Sequence, residues 1–281
     1  MRTEDCHMKV FTKIIAALAL AWVALGLGTV QAKSDFERLS ELGTIQIGLK
    51  NAVGGFGYKD PTTGYYVGME ADLARLIAEE LGLSPEFTTV THSNRLEMVA
   101  MGNLDLVIAT CTVTEERKQR FDFSIPYFTD MVGVMVRKSS QIRKLSDLKD
   151  QTVGVGRNTN TPYALLSELK KQGLIAELPD EKSFDPQNWE GFLRFKLYDY
   201  YETLRDDLFA GKNVDAFCGD YSVLESNRKS TLMVLSETFD EQPFAVVARK
   251  GSDLIPRINV MLKRWLEDGT IKGLLMQYGL D

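Results

Sequence analysis

Two successive runs of strand-like and helix-like segments constrain this 281-residue chain more than any other feature. The first opens with GTIQIGLK (43–50), which alternates like a strand, and a glycine-rich loop with turn signals at Asp60-Pro61 and Thr63-Gly64. GMEADLARLIAEELGL (68–83) then places Leu73, Leu76, Ile77 and Leu81 at helical spacing, with Gly82 suited to its end. EFTTV (86–90) reads as a strand, 93–101 as a short helix and LDLVIAT (104–110) as a short buried strand. The rhythm restarts after Phe128. MVGVMVRK (131–138) is a strand, and 145–171 supplies a helical turn, a strand at 152–155, a polar loop and a helix. YETLRDDLFAGKNVDAFCGD (201–220) contributes a helix ending near Gly211 and a strand at 214–217. PFAVVARK (243–250) is one more strand, and helices at 254–267 and 271–278 close the chain. Such alternation means an α/β fold, a mostly parallel sheet with helices on its faces. The stretch 173–196 is less readable; Trp189, Phe192 and Phe195 are expected to anchor it to its own half of the molecule.

The N-terminus stands apart from this pattern. Lys9 and Lys13 precede an apolar run from Ile14 to Leu27, and Val30-Gln31-Ala32 fits a small-residue cleavage site, so 1–32 reads as a secretory signal peptide. The run is about 14 residues, short of the roughly 20 needed to span a bilayer. The expected product is a soluble exported protein, most simply in the periplasm. The formal net charge of −6 argues against nucleic acid and anionic membrane surfaces as partners. Cys111 and Cys218 remain after cleavage. An oxidising compartment permits a disulfide between them, but their apolar, strand-like surroundings suit buried free thiols.

Little in the chain points to catalysis. Outside 1–32 there is one histidine, His92, with no serine or cysteine nucleophile marked beside it. There is no CxxC and no GxxxxGK[ST] phosphate loop, and Gly154-Val155-Gly156 lacks the third glycine of a dinucleotide fingerprint. No catalytic residue, metal or cofactor is therefore expected. What remains are groups suited to a carboxylate and an ammonium. TVTEERKQRFDFSIPYF (112–128) opens like a helix N-terminus directly after a strand, and one turn in it places Arg117. Ligands of open α/β sheets bind at such junctions, and a guanidinium beside free N–H groups suits a carboxylate. The plainer alternative is a solvated arginine. Arg157 to Thr161 forms a second strand-to-helix loop able to receive an anion, or simply a capped loop. Asp220 follows a strand and either takes an ammonium or caps the next helix. Arg95 is either a ligand group or a surface arginine.

Together these segments resemble the bacterial extracellular solute-binding proteins for polar amino acids, the periplasmic subunits of ABC importers. The carriers are YVGMEADLARLIAEELG (66–82), NLDLVIATCTVTEERKQRFDFSIPYF (103–128), LSDLKDQTVGV (145–155), NVDAFCGD (213–220) and the closing DGTIKGLLMQYGL. The resemblance implies two α/β lobes joined by two crossover hinge strands with ligand trapped between them. Lobe one would span 33–126 plus 244–281, lobe two 131–239, and the hinge 127–130 and 240–243. It implies that Arg117 takes the α-carboxylate, that Thr112 meets both α-groups and that Thr110 offers its carbonyl to the α-amino group. It also implies that Thr159 and Asn160 complete the carboxylate site and that Asp220 takes the ammonium. Arg95 falls where relatives resembling aspartate/glutamate binders aim an arginine at the side-chain carboxylate, which favours glutamate or aspartate. Lys50, Phe56 and His92 are possible lining residues. The partner expected is a membrane permease, and the state a monomer. Two alternatives share the scaffold: a binder of cysteine, glutamine or asparagine, and a dehydratase of cyclohexadienyl type.

Overall fold

The computed structural model describes residues 33–280, so the signal-peptide reading of 1–32 lies outside the described residues. The chain runs α1 (Asp35–Leu42), β1 (Thr44–Leu49), β2 (Ala52–Val53), β3 (Gly57–Lys59), β4 (Tyr66–Val67), α2 (Met69–Glu80), β5 (Ser84–Thr89), α3 (Arg95–Ala100) and β6 (Leu106–Val107). It continues with α4 (Glu115–Arg120), β7 (Phe121–Phe123), β8 (Phe128–Arg137), β9 (Thr152–Gly156), α5 (Thr161–Lys171), β10 (Arg194–Tyr198), α6 (Tyr201–Ala210) and β11 (Ala216–Asp220). It ends with α7 (Tyr221–Asn227), β12 (Leu232–Val234), β13 (Phe239–Phe244), β14 (Val247–Arg249), α8 (Leu254–Glu267) and α9 (Thr270–Gln277).

Among the described residues the strands form three sheets. The first has the order β5-β1-β6-β14-β7, the second β10-β9-β11-β8-β12 with β13 beside β8, and the third is the small meander β2-β3-β4. The two larger sheets are mixed rather than mostly parallel. β1 is parallel to β5 and β6, and β9 to β10 and β11. β14 and β8, however, run antiparallel to their neighbours. The reason is connectivity. A helix crossing back over its own sheet returns a parallel strand, whereas β8 and β14 arrive from the other sheet and enter from the opposite end. β13 lies along β8, with Gln242 opposite Asp130, Pro243 opposite Thr129 and Phe244 opposite Phe128.

Strand alternation explains how the second sheet is packed. Val132, Val134 and Val136 of β8 join Val153, Val155 and Leu165 on one face, while Met135 joins Phe217 and Leu224 on the other. Both faces are covered, which is why VGVMV reads as an almost unbroken apolar run. Each fully buried apolar side chain contributes about 1.5–3 kcal/mol. The 173–196 stretch is pinned to this lobe: the Phe184 ring meets Trp189 at 6.1 Å and Phe195 at 6.3 Å. Its end, β10, is a strand that its sequence conceals. Both cysteines are buried free thiols, with the Cys218 thiol 3.8 Å from the Thr161 carbonyl. Among the described residues no helix is long and apolar enough to cross a membrane.

Gly68, which precedes α2, is a position only glycine fits. Its φ is 122°, and a Cβ there would lie 2.2 Å from the Phe56 carbonyl oxygen. Gly68→Ala should therefore cost more than the roughly 1–3 kcal/mol of backbone strain alone. Gly64→Ala, also at positive φ but with nothing within 4 Å, should cost only that strain. Urea unfolding midpoints of the two variants measure the difference.

Candidate functional site

The charged residues singled out in the sequence meet at the ends of strands. Lys50 follows β1, Arg95 opens α3, Thr110 and Thr112 follow β6, residues 156–160 join β9 to α5, and Asp220 ends β11. Arg95 and Arg117 are only 3% and 8% exposed, so neither is a surface arginine. Lys50, Glu70, Thr110, Thr112 and Asp220 are buried with them.

Thr110 is the centre of this group. Its φ of 45° puts a side-chain-bearing residue in the left-handed region, three residues past the end of β6. Each of its polar groups meets a buried charge. The Glu70 carboxylate accepts from its N–H at 2.5 Å, the Lys50 ammonium donates to its hydroxyl, and Arg95 Nη1 donates to its carbonyl at 2.9 Å. Arg95 Nη1 also donates to the Ala109 carbonyl. The Thr110 carbonyl keeps a second lone pair for an ammonium.

Arg117 lies one turn into α4, whose cap is Thr114: its hydroxyl accepts from Arg117 N–H at 3.2 Å. The guanidinium donates to the Thr112 carbonyl and to the Asn158 carbonyl, both at 2.9 Å, and so joins the segment after β6 to the loop after β9. Asn158 Nδ2 donates back to the Ser93 carbonyl at 2.8 Å. His92 makes a further crossing. Its Nε2–H donates to the Tyr198 carbonyl at 2.8 Å, and its ring stacks on Tyr201 with centroids 4.3 Å apart. Asp220 sits at the N-cap of α7 but makes no capping bond with its side chain, and its Oδ1 has no hydrogen-bond partner. The helix-cap reading of Asp220 therefore gives way to one in which the carboxylate faces the other charges.

Burial shapes the ionisation of these groups. Burial, reinforced by Arg95, lowers the Lys50 ammonium to about 7, against the pull of Asp220 and Glu70. Burial and then Asp130 raise the Asp220 carboxyl to about 7, against Lys50, Arg95 and Arg117. Burial also raises Glu70, opposed by its hydrogen bonds to Tyr127 and Thr110 and by Lys50 and Arg95. Among the described residues, four buried side-chain atoms lack a partner. Three of them, Glu70 Oε2, Arg95 Nε and Asp220 Oδ1, belong to this cluster. Unpaired groups in low dielectric are costly, and each of these three atoms can still take a hydrogen-bond partner.

Not every expected residue joins it. Phe56 is fully buried in the core, edge-on to Phe128 at 5.2 Å and Phe244 at 5.8 Å, so it does not line the site. Its ring is drawn inward because three aromatics pack where the chain crosses between sheets. The Thr159 hydroxyl bonds within its own loop, to Gly156 O at 2.8 Å, and Asn160 Nδ2 donates to Gln242 at 2.8 Å. Backbone N–H groups are what this loop can offer an anion. A cavity of about 580 Å³ opens beside Arg117, His92 and Asn158 and reaches Phe184 and Gln187 of the 173–196 stretch. Glu70 and Tyr201 were not singled out in the sequence. Glu70 was legible in principle, since it stands four and seven residues before Ala74 and Ile77, on the buried face of α2.

His92 should also leave a signature in stability. Burial, with Lys50 and Arg95, holds its imidazole down to about 3, well below the ordinary 6.5. As pH falls below about 6.5 the unfolded chain takes up a proton that the folded chain refuses, so stability falls with pH down to about 3. His92→Asn should flatten that part of the pH–stability curve, as read from urea midpoints between pH 4 and 8.

The comparisons agree with this architecture. The chain is 28% identical over 268 residues to the L-cystine-binding protein TcyJ of Escherichia coli (strain K12), across 93% of this chain and 92% of that protein. It is 26% identical over 270 residues to the ABC transporter glutamine-binding protein GlnH of Bacillus subtilis (strain 168), across 93% and 91%. A solved structure of an ancestral arginine-binding protein bound to arginine superposes with a TM-score of 0.69 at 30% identity, over 84% of this chain and 98% of that one. Residues 45–281 match one family throughout, and the chain, an α/β protein of the two-lobed periplasmic-binding-protein fold, belongs to the bacterial extracellular solute-binding proteins, family 3.

Proposed function

We propose that this chain captures an acidic amino acid, L-glutamate or L-aspartate, between its lobes and delivers it to the permease of an ABC importer. The carrying observation is the buried pair Lys50 and Arg95, joined at Thr110, with Arg95 Nε unpartnered. In this reading Arg117, Thr112 and the N–H groups at Thr159 and Asn160 take the α-carboxylate, while Asp220 and the Thr110 carbonyl take the ammonium. Arg95 and Lys50 then take the side-chain carboxylate. A ligand with a cationic side chain would meet two buried cations without an added anion, at a cost in both desolvation and repulsion. The cystine-binding and glutamine-binding relatives support the general activity. The work assigned is binding rather than catalysis, and purified protein should not turn over prephenate.

The lobes are taken as 33–126 with 244–281, and 131–239. The paired stretches 127–130 and 240–243 serve as hinge, and closure shifts a two-state equilibrium. Export to the periplasm and a monomeric state complete the proposal.

Truncating one member of a buried charge pair costs about 2–5 kcal/mol. Arg117→Ala should thus lower affinity for every amino acid bound, by tens- to thousands-fold. Arg95→Ala should lower it for glutamate and aspartate selectively. Calorimetric titration with the amino-acid set checks both, and unchanged glutamate affinity in Arg95→Ala would sink the specificity claim.

Proton exchange offers a second check. A ligand ammonium beside Asp220 favours its carboxylate and releases a proton, while a ligand carboxylate beside Lys50 favours its ammonium and takes one up. Both groups lie near 7, so glutamate should release fewer protons than glutamine on binding. Titration at pH 7 in buffers of different ionisation enthalpy reads the difference.

A further inference from the structure

Glu70 is a carboxylate with no exposed surface, and nothing in the amino-acid reading above assigns it a part. Its Oε1 accepts from the Thr110 N–H and from the Tyr127 hydroxyl, both at 2.5 Å, while Oε2 has no partner among the described residues. Tyr127 directly precedes β8, the first strand to cross between the sheets. One carboxylate thus ties the left-handed turn at Thr110 to the start of the crossing. It also acts electrostatically on Lys50 and Arg95, the two cations that flank the same threonine.

We propose that Glu70 is a positioning and selectivity residue: it holds the Thr110 turn against the hinge through Tyr127, and its charge partly cancels that of Lys50 and Arg95. This rests on the acidic-amino-acid reading and deepens it. With two cations and no Glu70, the side-chain end of the site would strongly favour any anion. With Glu70 ionised, it offsets part of the charge of Lys50 and Arg95, and the surplus left for a side-chain carboxylate to meet is at most one positive charge. A carboxylate is suited to both tasks because it offers lone pairs to two donors from one oxygen and spreads its charge over both. Placement on the first turn of α2 holds it there, since Leu73, Ala74 and Ile77 of the same helix are fully buried.

Glu70→Gln separates charge from geometry, because its amide oxygen still accepts from Thr110 N–H and the Tyr127 hydroxyl. Dissociation constants for L-glutamate, L-glutamine, L-aspartate and L-asparagine are measured on wild-type and variant protein. The variant should raise the preference for each acid over its amide at least tenfold. An unchanged acid-to-amide ratio overturns the selectivity role. Tyr127→Phe removes only the hydroxyl and should weaken acid and amide by a common factor with the ratio intact. Unchanged affinity for all four overturns the positioning role, and this variant decides that role if Glu70→Gln does not fold. Wild-type protein that binds none of the four overturns the acidic-ligand reading, and the selectivity role with it. Binding by wild-type with an unmoved ratio in Glu70→Gln overturns the role of Glu70 alone.

Discussion

The ionisable side chains Lys50, Glu70, Arg95, Arg117 and Asp220 are buried in one neighbourhood near the ends of strands. Each costs several kcal/mol to desolvate in isolation, and only close pairing and hydrogen bonding offset that cost. This constraint organises the surrounding structure. It accounts for the left-handed bend at Thr110, a strained conformation for a residue with a side chain, held because its N–H, hydroxyl and carbonyl each satisfy a different buried charge. The charges do not balance internally, since atoms of Glu70, Arg95 and Asp220 are left without partners. In the proposed reading a zwitterion with an anionic side chain supplies the missing complement.

The same groups connect the site to the segments that pass between the two larger sheets. Glu70 reaches Tyr127 at the start of one crossing, and Asn160 reaches Gln242 in the other at 2.8 Å. Gln242 is itself fully buried and donates to Asp240 Oδ2 at 2.7 Å. Arg117 and His92 bind across the interface, through the carbonyls of Asn158 and Tyr198. In the proposed reading a ligand that pairs with Arg117 touches a residue already bonded to the loops after β6 and β9, which is how a small molecule would bias closure.

Much of this was legible in the sequence, and the parts that were not have physical reasons. The strand–helix rhythm located both sheets, because burial on one or both faces imposes its periods directly on the residues. The direction of β8 and β14 was not legible, since it depends on which sheet the chain has just left. β10 hid in the 173–196 stretch because an irregular segment precedes it and its apolar residues Phe195, Leu197 and Tyr198 do not stand out by period. Arg117 and Asp220 were found through position, each at a strand end beside a helix start, whereas the role expected of Arg95 came from resemblance. Phe56 was misjudged, since a loop aromatic can face ligand or core and only packing decides. Glu70 was overlooked because an acidic residue in the first turn of a helix is ordinary there. Its helical phase, on the face of Ala74 and Ile77, was the signal that it is buried.

The measurement that bears most directly on this account is a crystal structure of the protein grown with L-glutamate. The account predicts one glutamate between the lobes, its α-carboxylate on Arg117, its ammonium on Asp220 and the Thr110 carbonyl, and its side-chain carboxylate within hydrogen-bond distance of Arg95. A ligand that leaves Arg95 uncontacted, or an interface that admits only a cationic or uncharged side chain beside Lys50 and Arg95, would contradict it.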